Sequence, residues 1–220
     1  VKPFFYHMED GTFVFASEIK TILEYPDVKP VIDAQGIAEL LFIGPGRTPG
    51  SGVFRGIQEL KPGQFGTLDE NGLSLHTYWA LKDLAHTDSF EETAEHVRFL
   101  VTDSIRRQLV SDVPVGTFLS GGLDSSIISA VAAAHFKEQG RRLDTFSVTY
   151  TDNQKYFKTS KFQPTTDEPY IRLMAEFLDS NHHTFTVDNE KLALALKNAV
   201  DARDLPGMAD VDSSLLLFCE

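Results

Sequence analysis

The chain has 220 residues, 42% of them hydrophobic and 24% charged, which suits one large or two small globular domains. Its net charge of −12 disfavours nonspecific nucleic-acid binding, which relies on clustered Lys and Arg, but leaves local recognition of a nucleotide open. A single cysteine, Cys219, excludes an internal disulfide and a cysteine-rich zinc site, and no apolar run approaches the roughly 18 residues of a membrane span, so a reduced, cytoplasmic setting is expected.

Residues 1 to about 83 read as β-rich. Phe4 to Met8 and Thr12 to Ala16 flank Glu9-Asp10-Gly11, a hairpin signal. Asp33 is placed to cap a short helix carrying Ile37, Leu40 and Leu41. From Gly44 to Gly56 the chain is too rich in Gly and Pro for regular structure, and it is long enough to suggest a functional or interface loop. Phe65 to Leu68 and Leu73 to Tyr78 flank Asn71-Gly72, a second hairpin signal.

The pattern changes near residues 80–88. Ser89-Phe90-Glu91-Glu92 is a capping box, and behind it Val97, Leu100, Val101, Ile105 and Leu109 recur at helical spacing. Strand and helix then alternate. Val115 to Leu119 reads as a strand, Ser126 to about Lys137 as a helix, and Leu143 to Thr149 as the next strand. A polar stretch precedes a helix from about Glu168 to Phe177 with Pro169 in its first turn. His182 to Val187 is the following strand, and Asp188 caps a helix carrying Leu192, Leu196 and Val200. Such alternation argues an α/β fold with a parallel, doubly wound sheet covered by helices on both faces. Val1 is not an initiator, and Leu215 to Cys219 is an apolar helical run with no cap after it, so the chain reads as a fragment of a longer protein.

The loop Ser120-Gly121-Gly122-Leu123-Asp124-Ser125-Ser126 carries the chemistry. Two glycines between a buried strand and a helix let the chain turn tightly and leave amide N–H groups uncovered, while the helix start adds unpaired donors and partial positive charge. That combination suits phosphate. No Lys follows, as a Walker loop requires, and no G-x-G-x-x-G is present. Asp124 lies inside this anion site, and its repulsion of phosphate is resolved if Mg²⁺ bridges them. Ser120, Ser125 and Ser126 add hydroxyl donors.

This loop resembles the pyrophosphate loop of the ATP-pyrophosphatase families. Val1 to Tyr6, Phe15 to Lys20 and Leu60 to Gly63 are similar to the second half of a class II glutamine amidotransferase domain of the N-terminal-nucleophile kind, and Leu205 to Cys219 is similar to a stretch of the glutamine-hydrolysing asparagine synthetases. The resemblance implies half an amidotransferase domain over residues 1–83 and the first part of a synthetase domain, adenine nucleotide alpha hydrolase-like, over residues 84–220. It further implies that Leu119 meets a nucleotide through its backbone, that Ser120, Gly121, Gly122, Asp124, Ser125 and Ser126 hold pyrophosphate with Asp124 on Mg²⁺, and that Val148 meets adenine by main-chain contacts; read from the residues alone, Leu119 and Val148 are ordinary sheet core.

The implied reaction is adenylation of the side chain of L-aspartate by ATP, then attack by ammonia from L-glutamine to give L-asparagine. An N-terminal cysteine nucleophile and a later S-G-E-like motif of that family are missing, so no catalytic residue is assigned and this chain alone is expected to be inactive. Alternatives are an amide-forming relative acting on another carboxylate, like a β-lactam synthetase, and a non-catalytic nucleotide-binding domain. Small molecules are the expected partners, with no nucleic acid, no membrane, and a homodimer as a candidate assembly.

Other groups have simpler readings. His182 and His183 point to opposite sides of a strand and poorly share a metal. Glu91 and Glu92 are helix-start acids, and Glu18 and Lys20 a solvated helix start. Asp210 and Asp212 either face a substrate or a second Mg²⁺, or form a loop and N-cap before Ser213. Tyr156 to Lys161 reads as a mobile active-site flap, and Cys219 as a core residue.

Overall fold

The computed structural model describes residues 2–161 and 164–219, and the chain divides into two compact units. One comprises Val1–Leu84 with Ala193–Leu217; the other comprises Ala85–Leu192 with Phe218–Glu220.

In the first unit β1 (Phe5–Glu9) and β2 (Thr12–Ala16) form the expected hairpin, with Asp10 and Gly11 both at positive φ in the turn. Next comes α1 (Ile19–Leu23), and then α2 (Ala34–Ala38), where Asp33 accepts a hydrogen bond from the Gly36 N–H at 3.0 Å. A π-helical turn at Glu39–Ile43 follows, and of the three apolar residues expected on this helix only Leu40 packs against the core; Ile37 and Leu41 are exposed. The Gly- and Pro-rich stretch hides more order than its composition suggests. It makes bridges Ile32 to Phe54 and Ser51 to Gln58, then enters β3 (Ile57–Glu59), which pairs antiparallel with β1. β4 (Gln64–Asp69) and β5 (Gly72–Thr77) form the second hairpin. Its turn is one residue earlier than Asn71-Gly72 predicts: Asp69 pairs with Gly72, Glu70 and Asn71 make the turn, and the Asp69 carboxylate accepts the Asn71 N–H at 2.8 Å. Phe5, Ile19, Ile22, Val28, Val53, Ile57 and Leu205 form this unit's core.

The second unit opens with α3 (Phe90–Gln108), capped as the sequence predicts: Ser89 Oγ accepts the Glu92 N–H and the Glu92 carboxylate accepts the Ser89 N–H. Those bonds favour the ionised Glu92 and lower its pKa, the Ser89 backbone N–H most of all. None of the α3 residues is buried: Val97, Leu100 and Val101 of the expected stripe are exposed, and the main neighbour of this helix is α4 (Leu123–Glu138).

Strands β6 (Gly116–Phe118), β7 (Asp144–Tyr150) and β8 (Asn181–Val187) make a parallel sheet in that order. The crossover from β6 to β7 runs through α4; after β7 come the short α5 (Asn153–Tyr156) and then α6 (Glu168–Leu178), which leads to β8. Strands in sequential order joined by right-handed crossovers carry both connecting helices on one face, and α4 and α6 do touch. Thr117, Thr145 and Ser147 point to that face, where Thr117 Oγ1 meets Ser129 Oγ of α4 at 2.8 Å in a fully buried hydroxyl pair. The opposite face presents Phe118, Phe146 and Phe185, which are met by Phe218 at ring separations of 5.0, 6.5 and 5.9 Å. Among the described residues the two connecting helices lie on one face, where the alternation of strand and helix predicts cover on both, and the second face meets Phe218 of the C-terminal helix.

Asp188 accepts the N–H groups of Glu190 and Lys191 and so caps α7 (Asn189–Leu194). The single helix expected here is broken at Ala195, and α8 (Leu196–Arg203) continues in the first unit, followed by α9 (Ala209–Cys219).

Candidate nucleotide site

The Ser120 loop leaves β6 at the carboxyl end of the parallel sheet, where ligands of such sheets bind. The helix behind it starts at Leu123 and not at Ser126. The sequence reading missed three residues because Gly122 is the N-cap and has no side chain to announce itself. Starting earlier places Asp124, Ser125 and Ser126 in the first turn of α4, with the unpaired N–H groups and positive end of a 16-residue helix around them. No side chain caps this end.

The serines form a small lattice of their own. Ser125 Oγ donates to the Gly122 carbonyl at 3.1 Å, accepts the Ser120 N–H at 3.2 Å and lies 3.0 Å from Ser120 Oγ. The Ser126 N–H reaches the Gly122 carbonyl at 3.1 Å. These bonds hold the loop in one shape before any ligand arrives. Asp124 is exposed beside it. Gly121 has φ +80, and a Cβ placed there would lie 3.0 Å from both the Asp167 carbonyl oxygen and Tyr170 Cβ, so the start of α6 closes directly on this glycine. Sequence reasoning took Asp167 to Tyr170 only as a helix start; a tertiary approach of backbone to backbone leaves no local signal beyond the glycine itself.

Leu119 is buried at 1% exposure and its N–H donates to the Phe146 carbonyl at 2.7 Å, so only its carbonyl is left for any further backbone contact. Val148 is not at the end of its strand, because β7 runs on to Tyr150. It is nevertheless at the edge that faces the loop. The β6–β7 register stops at Phe118 opposite Phe146, and carried two residues further it sets Val148 opposite Ser120, where β6 has ended. The loop residues and Val148 therefore share one edge of the sheet.

Among the described residues no group of three or more His, Cys, Asp or Glu could hold a metal ion. Asp124 is an exposed carboxylate of this loop, with the chemistry of a magnesium ligand. His182 and His183 face opposite ways, as expected. His183 Nε2 pairs with Asp144 at 2.9 Å, while His182 lies under the helices with Nδ1 2.9 Å from Thr145 Oγ1 and Nε2 3.1 Å from Ser147 Oγ.

Burial, and secondarily the neighbouring His183, lowers the His182 pKa from the ordinary 6.5. The folded protein thus keeps this ring neutral where the unfolded chain takes up a proton, and stability is lost as pH falls below that ordinary value. In urea unfolding between pH 7 and pH 5 the native protein is expected to lose stability more steeply than His182→Gln; equal slopes would remove His182 as the cause.

Three other expectations change. Cys219 is exposed and is not core, because α9 turns it outward beside Phe118 and Phe185 in a concavity of about 470 Å³. Asp210 and Asp212 lie within the first turn of α9, which begins at Ala209, and Asp212 pairs with Arg203 at 2.6 Å. Lys20 is not simply solvated: its Nζ bridges Glu18 and Asp204, both at 2.9 Å. The Tyr156 to Lys161 segment begins at the end of α5, with Lys155 Nζ 5.0 Å from the Tyr156 ring centroid.

Two protein families match successive parts of the chain, and the second match takes in residues 193–217, which pack in the first compact unit. The glutamine amidotransferase domain family matches residues 1–79, and the asparagine synthase family matches residues 96–220. Asparagine synthetase [glutamine-hydrolyzing] 3 of Bacillus subtilis is 51% identical over all of this chain, which covers 36% of that protein. Asparagine synthetase [glutamine-hydrolyzing] 2 of the same organism is 32% identical over 67% of the chain and 21% of its own length. The Penicillium rubens protein named amidase chyE is 29% identical over 94% of the chain and 31% of its own length. The chain thus spans about a third or less of these relatives. With its family match over residues 96–220 and the amidotransferase match before it, the chain belongs to the asparagine synthase family.

Proposed function

We propose that the gene product carrying this chain is an ATP-dependent, glutamine-hydrolysing ligase that converts L-aspartate to L-asparagine with release of AMP and pyrophosphate. The observation that carries this reading is the Ser120–Ser126 loop: a preformed turn at the carboxyl edge of a parallel sheet, running into a helix start that no side chain caps, with one exposed carboxylate beside it. The identity to the B. subtilis asparagine synthetase supports the same reading. Residues 1–83 are assigned to the later half of an N-terminal-nucleophile amidotransferase domain and residues 84–220 to the first part of a doubly wound, adenine nucleotide alpha hydrolase-like synthetase domain. The proposed setting is cytoplasmic and a homodimer is the candidate assembly; no described helix is long and apolar enough to cross a membrane.

In this mechanism the aspartate side-chain carboxylate attacks the α-phosphorus of ATP, the bond to the β-phosphate oxygen breaks, and pyrophosphate leaves. The Ser126 hydroxyl, with the amides of Gly121 and the first turn of α4, donates to the departing pyrophosphate where its charge grows, while Ser120, Gly122 and Ser125, bonded to one another, hold the loop in shape around it. The Leu119 carbonyl and the Val148 main chain line the nucleotide. Asp124 would hold Mg²⁺, which neutralises phosphate charge that would otherwise repel this carboxylate. Ammonia then attacks the acyl carbon of the aspartyl-adenylate, the C–O bond to AMP breaks, and asparagine is released.

Exchange of labelled pyrophosphate into ATP by the full-length gene product tests this directly. Aspartate-dependent exchange is expected. Exchange with a different carboxylic acid only would favour the amide-forming alternative, which the similarity to amidase chyE keeps in view, and no exchange with any acid would leave a nucleotide-binding scaffold.

A further inference from the structure

The short helix α1 has an unusual arrangement at its start. Its own N-cap residue, Glu18, makes no side-chain cap hydrogen bond. The Ile19 N–H instead donates to Asp204 Oδ2 at 2.5 Å, an acceptor 185 residues further along the chain. The debt of unpaired groups is settled in the other direction too: Lys20 Nζ donates to the carbonyls of Asp201 and Ala202, in the last turn of α8, at 3.2 and 3.3 Å. Each helix therefore caps the other, an acid at the positive end of one and an ammonium at the negative end of the other.

Asp204 is built for this contact. Its side chain is 5% exposed, with Lys20 Nζ 2.9 Å from Oδ1 as an ion pair whose alignment falls short of a hydrogen bond. Its backbone sits at φ +68, a conformation uncommon for a non-glycine residue and best tolerated by Asp and Asn. The next residue, Leu205, is in the core with Ile19 and Ile22. The preceding one, Arg203, pairs with Asp212 and donates to the Pro45 carbonyl at 3.5 Å. Gly207 makes room for that pair, because any Cβ there would collide with both Arg203 and Asp212. Within the first unit, residues 203–212 are thus fastened to α1 and its surroundings by a buried carboxylate, a core leucine and a guanidinium.

This segment lies within the asparagine synthase match, whereas α1 lies within the amidotransferase match. We propose that Asp204 and Lys20 form a latch that sets the 203–214 segment of the synthase part on α1 of the amidotransferase part, and that they are positioning residues for delivery of glutamine nitrogen to the amide product. Neither touches a reacting atom. The functional half of this statement rests on the ligase reading above; the latch itself does not.

Two measurements on the full-length gene product separate the two. Hydrogen exchange at the Ile19 amide is expected to be slow in the native protein and at least about tenfold faster in Asp204→Ala and in Lys20→Met, since the first removes the acceptor of that N–H and the second removes the ammonium that holds the acceptor in place. Unchanged exchange in both variants would overturn the latch whatever reaction the protein catalyses. For the reaction, amide formation from aspartate is measured with glutamine and, separately, with ammonium. Both variants are expected to keep ammonium-supported formation within about twofold while glutamine-supported formation falls about tenfold, a coupling of ordinary size, so that glutamate accumulates in excess of asparagine. The double variant is expected to lose no more than either single one, because the pair acts as a unit. A parallel fall of both nitrogen sources, or an unchanged glutamate-to-asparagine ratio, would overturn the positioning role. Absence of asparagine formation by the native protein would count against the ligase reading alone, with the exchange measurement still deciding the latch.

Discussion

Asp124→Ala in the full-length gene product is expected to abolish most aspartate-dependent ATP–pyrophosphate exchange, by about 10²- to 10³-fold, with little change in fold. Asp124 is exposed and its carboxylate bonds to no other described residue, so its removal takes away only a first-turn acid of α4, worth about 0.3–1 kcal/mol through the helix dipole. The catalytic effect is larger because the carboxylate is the group that makes a phosphate site selective for the magnesium complex. Asp124→Asn sharpens the test. It keeps the shape and removes the charge, so exchange should fall nearly as far and the magnesium concentration needed for half-activity should rise. Without magnesium the sign reverses: a carboxylate beside bare phosphate is repulsive, so free pyrophosphate in excess chelator should bind the Asn variant at least as tightly as the native protein. Tighter binding of free pyrophosphate by the native protein would show that Asp124 is not a magnesium ligand.

Local chemistry made much of this molecule legible. The Asp10-Gly11 turn, the Asp33 cap, the Ser89–Glu92 capping box, Pro169 at the start of α6 and the Asp188 cap each announce themselves within a few residues, and each is where the sequence puts it. The loop at Ser120 was legible for the same reason, since glycines and short hydroxyls between a strand and a helix have few other uses. What escaped was set by distant groups. β3 lies behind a run of Gly and Pro and exists because β1 offers it an open edge. The start of α4 was hidden by a glycine N-cap. Lys20 looked solvated because its carboxylate partner arrives from position 204, and Cys219 looked buried because apolar neighbours in a helix say nothing about which side is covered. The site itself divides the same way: the donor groups are local, while the alignment of Val148 with Ser120 follows from β6–β7 register and could not be read from either strand alone.

Gly121→Ala is expected to destabilise the second unit by about 1–3 kcal/mol and to weaken nucleotide binding at least tenfold, whereas Gly122→Ala should do neither to that extent. The two glycines are neighbours with different tasks. Gly121 has φ +80, which an L side chain rarely adopts, and its added Cβ would press on backbone, the Asp167 carbonyl and the Ile171 nitrogen at 3.0 and 3.2 Å, as well as on Tyr170 Cβ. Backbone cannot rotate aside as a side-chain tip does, so the start of α6 must move away from the loop by a few tenths of an ångström. Gly122 has φ −76, and its Cβ would meet only Ser120 Oγ at an ordinary 3.5 Å. Gly140, at φ +69 with nothing near its Cβ, isolates the conformational part of the penalty, so Gly140→Ala should cost about 1 kcal/mol and leave nucleotide affinity unchanged. Thermal unfolding and ATP titration of the three variants separate the contributions. If Gly122→Ala matched Gly121→Ala in both measurements, the close approach of α6 would not be what shapes the phosphate loop.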